Sequence, residues 1–124
     1  SSTLMLITFT GRKSQRVFTT PVRYLCVDDS IHCFTSTDTK WWRNLRGGAE
    51  VILKIRGEDI RCLANVIEND PSTVKEALKH FLSIFPQDAT YQDIRTNKDR
   101  SLVIADLETA STHAIFIVST PINC

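Results

Sequence analysis

Long apolar runs are missing from this chain of 124 residues. No stretch approaches the roughly 20 consecutive apolar residues that a membrane-crossing helix needs, so a helical span is excluded. Glycine and proline are sparse, four of each, which rules out collagen-like and low-complexity sequence and leaves each of them readable as punctuation. The four cysteines, Cys26, Cys33, Cys62 and Cys124, are too few and too scattered for a disulfide framework, and no CxxC is present. They read as reduced thiols, although a hairpin turning on Asp29-Ser30 would set Cys26 against Cys33. His32, His80 and His113 show no ligand spacing, so no metal is expected. GxSxG, P-loop and GxGxxG motifs are absent, and no nucleophile–base pair stands out, which makes hydrolysis a poor reading. Excess charge is lacking as well. Fifteen Lys and Arg against fourteen Asp and Glu leave +1, so neither a general nucleic-acid binder nor a membrane-surface binder is supported.

What is present suits one compact domain over residues 1–124: 42% hydrophobic and 23% charged residues. Ser1 to Phe9 is apolar without a charged leader or cleavage pattern, so it reads as structure, and the cytoplasm is the expected compartment. Thr3 to Phe9 is predicted as a strand, ending at Thr10-Gly11. Val17 to Val27 follows as a second, with Phe18, Thr20, Val22, Tyr24 and Cys26 on one face and Pro21 demanding an edge or a bulge. Ile31 to Thr35 completes an expected three-stranded meander. A short helix over Lys40 to Arg46, capped by Ser36 or Asp38 and stopped at Gly47, precedes the strands Ala49 to Arg56 and Asp59 to Glu68. Asp70-Pro71 opens one long helix whose Val74, Leu78, Phe81, Leu82 and Phe85 recur at the helical period, and Pro86 ends it. Gln87 to Asp99 reads as polar and irregular, and Ser101 to Leu107 and His113 to Thr120 as closing strands. The order contains no βαβ unit. The fold class is therefore mainly β (α+β), a small antiparallel barrel of six or seven strands with one short and one long helix.

Charge is unevenly spread. Residues 1–61 hold ten Lys or Arg against six Asp or Glu, a balance of +4, whereas residues 62–124 hold five against eight, a balance of −3. The basic half suits a small anionic ligand better than a polyanion. Gly11-Arg12-Lys13-Ser14, with Arg16, is one candidate: glycine frees backbone amides to face an anion, and the cations give charge-assisted bonds. A solvated hairpin tip would carry the same residues. Ser36, Thr37 and Lys40 at the start of the short helix are a second candidate for anion contact. Trp41 and Trp42 follow, one able to lie against a flat ring while the other packs in the core with Leu45. Two core tryptophans would satisfy the same spacing. A single-stranded nucleic-acid barrel would carry its stacking aromatics on neighbouring strands, not on a helix.

The order Thr10-Gly11-Arg12-Lys13-Ser14, Thr19-Thr20-Pro21, Tyr24 and Lys40-Trp41-Trp42-Arg43-Asn44-Leu45-Arg46, followed by Phe85-Pro86 and Tyr91-Gln92, resembles the deazaflavin-dependent nitroreductase family. That family sits among the split-barrel flavin-binding proteins similar to pyridoxamine-phosphate oxidase. The resemblance implies a six-stranded split barrel, usually a homodimer, with FMN or a deazaflavin in a groove near the dimer interface. It implies an oxidoreductase moving hydride to or from a small conjugated substrate. The alternative is a non-catalytic protein of the same fold that binds a flavin or a related ring compound. By match, Arg12, Lys13 and Ser14 meet the phosphate-bearing tail, Ser36, Thr37 and Lys40 lie along the ring system and ribityl chain, and Trp41 and Asn44 shape the groove. The family usually has Gly after GRKS and Arg before TTP. Gln15 and Phe18 stand there in this chain, with Arg16 as the substitute cation. Tyr24 is a candidate hydrogen-bond donor to substrate, or else a core residue; no catalytic side chain is otherwise identified. The expected partners are a small-molecule substrate and a second copy of the chain, with neither nucleic acid nor membrane.

Overall fold

The computed structural model describes residues 3–122. Seven strands form one antiparallel sheet: β1 (Leu4–Thr10), β2 (Val17–Arg23), β3 (Leu25–Val27), β4 (Ser30–Ser36), β5 (Ala49–Ile55), β6 (Glu58–Ile67) and β7 (Ala114–Pro121). Their spatial order is β2-β1-β5-β6-β7-β4-β3. The two edge strands are consecutive in the chain, separated only by Tyr24, so the sheet must curl until its edges approach. Covalent continuity joins the edges where no hydrogen-bond ladder does, which is the architecture of a split barrel and limits the exposed edge.

The expected alternation holds through the hairpin β5–β6. Val51 and Leu53 face inward, as do Cys62 and Ala64, while Ile52, Lys54, Arg61 and Leu63 face out. Pro21 lies on the edge strand β2, opposite Leu6, where its missing N–H leaves the ladder intact. The predicted meander keeps its two pairings, β1 with β2 (Phe9 opposite Phe18) and β3 with β4 (Cys26 opposite Ile31), but its middle strand is broken between them. β4 pairs with β7 (Phe34 opposite Phe116), and β7 in turn pairs with β6 (Ala64 opposite Ser119). The predicted strand from Val17 to Val27 is two strands. The Tyr24 N–H donates to the Thr3 carbonyl at 3.1 Å, continuing the register with β1, and beyond it the alternation shifts so that Tyr24 is buried and Cys26 exposed.

The β3–β4 turn is Asp28-Asp29, one residue earlier than expected, so Cys26 opposes Ile31 instead of Cys33. Cys26, Cys33 and Cys62 are free thiols, and burial pushes the Cys33 thiol up to about 12, an inert group. Cys124 lies outside the described residues.

Helix α1 (Pro71–Ile84) follows its sequence pattern: Asp70 accepts from the Thr73 N–H at 3.3 Å, and Val74, Leu78, Phe81 and Leu82 are buried. A 3₁₀ turn over Pro86–Gln92 then buries Ala89 and Gln92, replacing the irregular stretch expected there. The predicted strand Ser101 to Leu107 is also absent. Leu102 makes an isolated bridge to Thr96, and a second helix, α2 (Ile104–Ser111), follows. Its β-branched start resembles a strand, but Leu107, Ala110 and Ser111 bury one helical face, and Arg95 grips Asp106 through its backbone N–H (2.9 Å) and its guanidinium (2.8 and 3.0 Å). Those guanidinium bonds pull the Asp106 carboxyl down to about 2.

Two cores result. One fills the barrel with Met5, Ile7, Val51, Leu53 and Ile117; the other lies between the sheet and the helices, around Phe34, Leu78, Phe81, Leu107 and Phe116. Between them β4 and β7 contribute to both cores, so neither alternates between buried and exposed residues: β7 is apolar from Ala114 to Val118, and β4 buries Thr35 along with Ile31, Cys33 and Phe34.

Candidate functional site

The loop after β1 is a tight turn. The Gly11 N–H donates to the Arg16 carbonyl at 2.8 Å, and the Gln15 N–H donates to the Gly11 carbonyl at 3.0 Å. A Cβ on Gly11 would lie 2.6 Å from Ser14 Oγ and 2.9 Å from the Phe18 ring, so close approach requires glycine there. Gln15 takes the left-handed conformation (φ 61°) and its side-chain amide donates to the Arg12 carbonyl at 3.0 Å, holding a conformation that glycine would reach without strain. Ser14 Oγ accepts from the Arg16 N–H at 3.2 Å. Lys13 and Arg16 are exposed and form no ion pair among the described residues.

The predicted short helix is a 3₁₀ turn over Trp41–Leu45, and neither Ser36 nor Asp38 caps it; Ser36 ends β4. Thr39 organises its entry instead, donating from its hydroxyl to the Ser36 carbonyl at 2.8 Å and accepting the Trp42 indole N–H at its own carbonyl, also at 2.8 Å. Trp42 and Leu45 thereby enter the core, while Trp41 stays half-buried with its ring 5.7 Å from that of Phe9. Asn44 ties this turn to the cationic loop. Its Oδ1 accepts the Arg12 N–H and its Nδ2 donates to the Trp41 carbonyl, both at 2.9 Å. Arg12 adds a guanidinium bond to the Arg43 carbonyl at 3.2 Å.

Trp41 also lines a cavity of about 450 Å³ between the barrel and α1. Phe34 with Leu78, Phe81 and Leu82 of α1 forms its apolar side, and Thr20 to Arg23 of β2 forms a second wall. One end is closed by Arg23, whose Nε meets both Asp88 oxygens at 3.0–3.1 Å, with its guanidinium 5.2 Å from the Phe85 ring centre. The polar side holds Thr35, Thr39, Tyr91 and Gln92. The Thr35 hydroxyl lies 2.9 Å from that of Thr39 and 3.5 Å from that of Tyr91. Gln92 is only 7% exposed, and its amide makes no side-chain hydrogen bond among the described residues. The one fully buried side-chain polar atom without a partner among the described residues is Ser119 Oγ on β7; the Gln92 amide keeps access to the cavity and is open to a ligand's polar atom. No cluster of metal-ligating side chains occurs among the described residues.

A family model for F420H(2)-dependent quinone reductases matches residues 1–109. The chain belongs to that family. It is a family of deazaflavin-dependent reductases, and its matched span holds the cationic turn, the tryptophan turn and the whole lining of the cavity, but not β7. No curated protein matches. Among solved structures, the chain is similar to a protein from Agrobacterium tumefaciens (16% identity, TM-score 0.59), covering 96% of this chain but 48% of the other. It is also similar to a candidate pyridoxamine 5′-phosphate oxidase from Listeria innocua (9% identity, TM-score 0.54, 98% and 85% covered). An F420 reductase gives 8% identity and a TM-score of 0.52 over 98% and 88%. These likenesses establish the fold. The chain spans less than half the length of the Agrobacterium protein.

Of the residues named from sequence, Trp41 lines the cavity, and Arg12 and Asn44 join the cationic turn to it. Lys13, Ser14 and Arg16 lie on that turn, and Ser36, Thr37 and Lys40 border the cavity-lining Thr35 and Thr39 in the chain. Tyr24 sits in the barrel core. Sequence reasoning missed Thr35, Thr39, Arg23, Asp88 and Gln92 as site residues. For the two threonines a signal existed, since they flank Ser36 and Thr37 and only the strand alternation selects between neighbours. Nothing local marks Gln92, whose exposure is decided by α1.

Proposed function

We infer that this protein is a deazaflavin-dependent reductase acting on a small quinone-like or otherwise conjugated electron acceptor. The observation that carries the reading is the Arg12–Asn44–Trp41 link, which fastens a cationic turn to the wall of a largely apolar cavity. That combination suits a planar ring bearing a negatively charged tail. A reduced deazaflavin, when bound, supplies the hydride. Lys13 and Arg16 would hold its tail by charge-assisted bonds. Trp41 and the Phe34–Phe81 side would hold flat rings in register and exclude water, so that donor and acceptor carbons approach in a fixed geometry. Gln92 would donate its amide to an acceptor oxygen, and the Tyr91 hydroxyl, beside Thr35, is placed to pass a proton to that oxygen as it gains charge. FMN is the alternative cofactor; the family supports the deazaflavin.

Two copies are proposed to pair through the outward face of β1, β2 and β5. Leu6, Val17 and Ile52 are exposed there at 39%, 68% and 41%, an apolar surface more extensive than a solitary sheet face needs.

The deciding experiment titrates F420 and FMN in parallel against the purified protein, then follows oxidation of reduced F420 with menadione as acceptor. Saturable F420 binding tighter than FMN, with menadione-dependent turnover, is the expected result. Binding without turnover for any quinone or nitroaromatic would leave a carrier. Failure to bind either cofactor would overturn the assignment.

A further inference from the structure

A second cavity, of about 680 Å³, lies on the other side of α1, between that helix and the segment leading into α2. Leu82 is the one side chain that lines both cavities, so the helix is the partition between them. The charge of this second cavity is opposite to its surroundings. Residues 62–124 carry a balance of −3, yet three of their five cations, Lys75, Lys79 and Arg100, line it and no Asp or Glu does. Lys75 is paired with Glu108, but Lys79 and Arg100 make no ion pair among the described residues. The rest of the lining is largely apolar: Leu82, Leu102, Val103 and Leu107, with Ile104 74% exposed at the rim.

The cation-bearing loop is rigid. The Asn97 N–H donates to the Ser101 carbonyl at 2.8 Å, the Arg100 N–H donates to the Asn97 carbonyl at 3.0 Å, and Asp99 accepts the Ser101 N–H at 3.0 Å. Within it Arg100 is held in the left-handed region, φ 72°, a strained conformation that persists only because its neighbours impose it. Below the loop, the triple grip of Arg95 on Asp106 fixes the start of α2. The cavity is thus preorganised, apolar within and cationic at its edge.

We propose that this cavity is a second binding site, for an amphipathic carboxylate: a single anionic head set between Lys79 and Arg100, and an unbranched or flat apolar body laid along Leu82, Leu102 and Leu107. The head gains charge-assisted bonds from two cations without internal partners, and the body covers exposed apolar surface that water otherwise wets. The site is separate from the reductase cavity and stands whether or not that reading holds.

Calorimetric titration of the full chain with decanoate tests it, alongside decanol (no charge) and acetate (no body). Lys79→Gln keeps the side-chain stem, and Arg100→Gly suits the backbone at φ 72°, so neither variant disturbs the fold. The expected result is saturable 1:1 decanoate binding, weakened about five- to tenfold by each variant, with decanol and acetate both at least tenfold weaker than decanoate. Decanoate binding that neither variant changes, decanol binding as tight as decanoate, or no saturable binding below millimolar decanoate would each overturn the proposal.

Discussion

Removing the Asn44 side chain tests whether the cationic turn and the aromatic wall act as one unit. Asn44→Ala deletes two hydrogen bonds of 2.9 Å, one accepted from the Arg12 N–H and one donated to the Trp41 carbonyl. The Arg12 N–H is exposed and the Trp41 carbonyl part-buried, so each bond is worth about 0.5–1 kcal/mol, and together about 1–2 kcal/mol. For a domain of this size each kcal/mol corresponds to a fall in Tm of roughly 3–6 °C. The loosened turn no longer presents Lys13 and Arg16 in a fixed place, so F420 affinity should fall several-fold in the same variant. Lys13→Ala separates contact from positioning: its exposed ammonium has no internal partner, so Tm should stay put while F420 binding weakens about five- to tenfold. Differential scanning fluorimetry and a fluorescence titration on the two variants give all four numbers. An Asn44→Ala protein with unchanged Tm and unchanged affinity would refute the coupling. A Lys13→Ala protein that binds F420 normally would remove the tail from this turn.

Other consequences follow from the same physical reasoning. Burial, with help from the charge of His80 and against that of Asp28, holds the His32 imidazole below its usual 6.5. The unfolded chain therefore takes up a proton that the folded one resists; stability from this residue is whole above pH 6.5 and declines as pH falls through the folded value. Urea unfolding at pH 7.5 and 5 should show that decline, and His32→Gln should reduce it; an unaltered slope would contradict the account. Gln15→Gly exchanges a left-handed glutamine for the residue that adopts φ 61° freely, losing only an exposed bond to Arg12, so stability should rise by roughly 0.5 kcal/mol, and a lower Tm would show that the side-chain bond dominates. Leu6→Asp places a charge on the outward apolar face without touching either core, and light scattering should then find a monomer where the parent is a dimer. A parent that is already monomeric would dismiss that pairing.

Local patterns carried much of the architecture. The period of Val74, Leu78, Phe81 and Leu82 with the Asp70-Pro71 start defines α1 because a helix satisfies its backbone within itself and its face depends only on spacing. The faces of β5 and β6 are legible for a similar reason, since alternation assigns each side, but the turn is Arg56-Gly57, one residue earlier than the expected Gly57-Glu58, and this sets the register. Residue type and adjacency alone single out the turn at Gly11 and the pair of tryptophans as candidates for ligand contact.

What the amino-acid order could not decide is which strand lies beside which. Ile31 and Ser119 pair across most of the chain's length, and nothing local in β4 selects β7 over a strand nearer in sequence, since any antiparallel partner offers the same backbone ladder. Only packing of α1 and α2 over Phe34 and Phe116 makes the choice, by giving the second face of β4 and β7 something to bury against. The same packing turned Leu102-Val103-Ile104, strand-like in isolation, into a bridge and the start of a helix. It also built both cavities, because each exists only where α1 meets residues distant from it in sequence. Secondary structure and candidate chemistry were therefore written locally, whereas the strand order and the enclosed spaces in which that chemistry can operate arise from contacts that only the assembled fold creates.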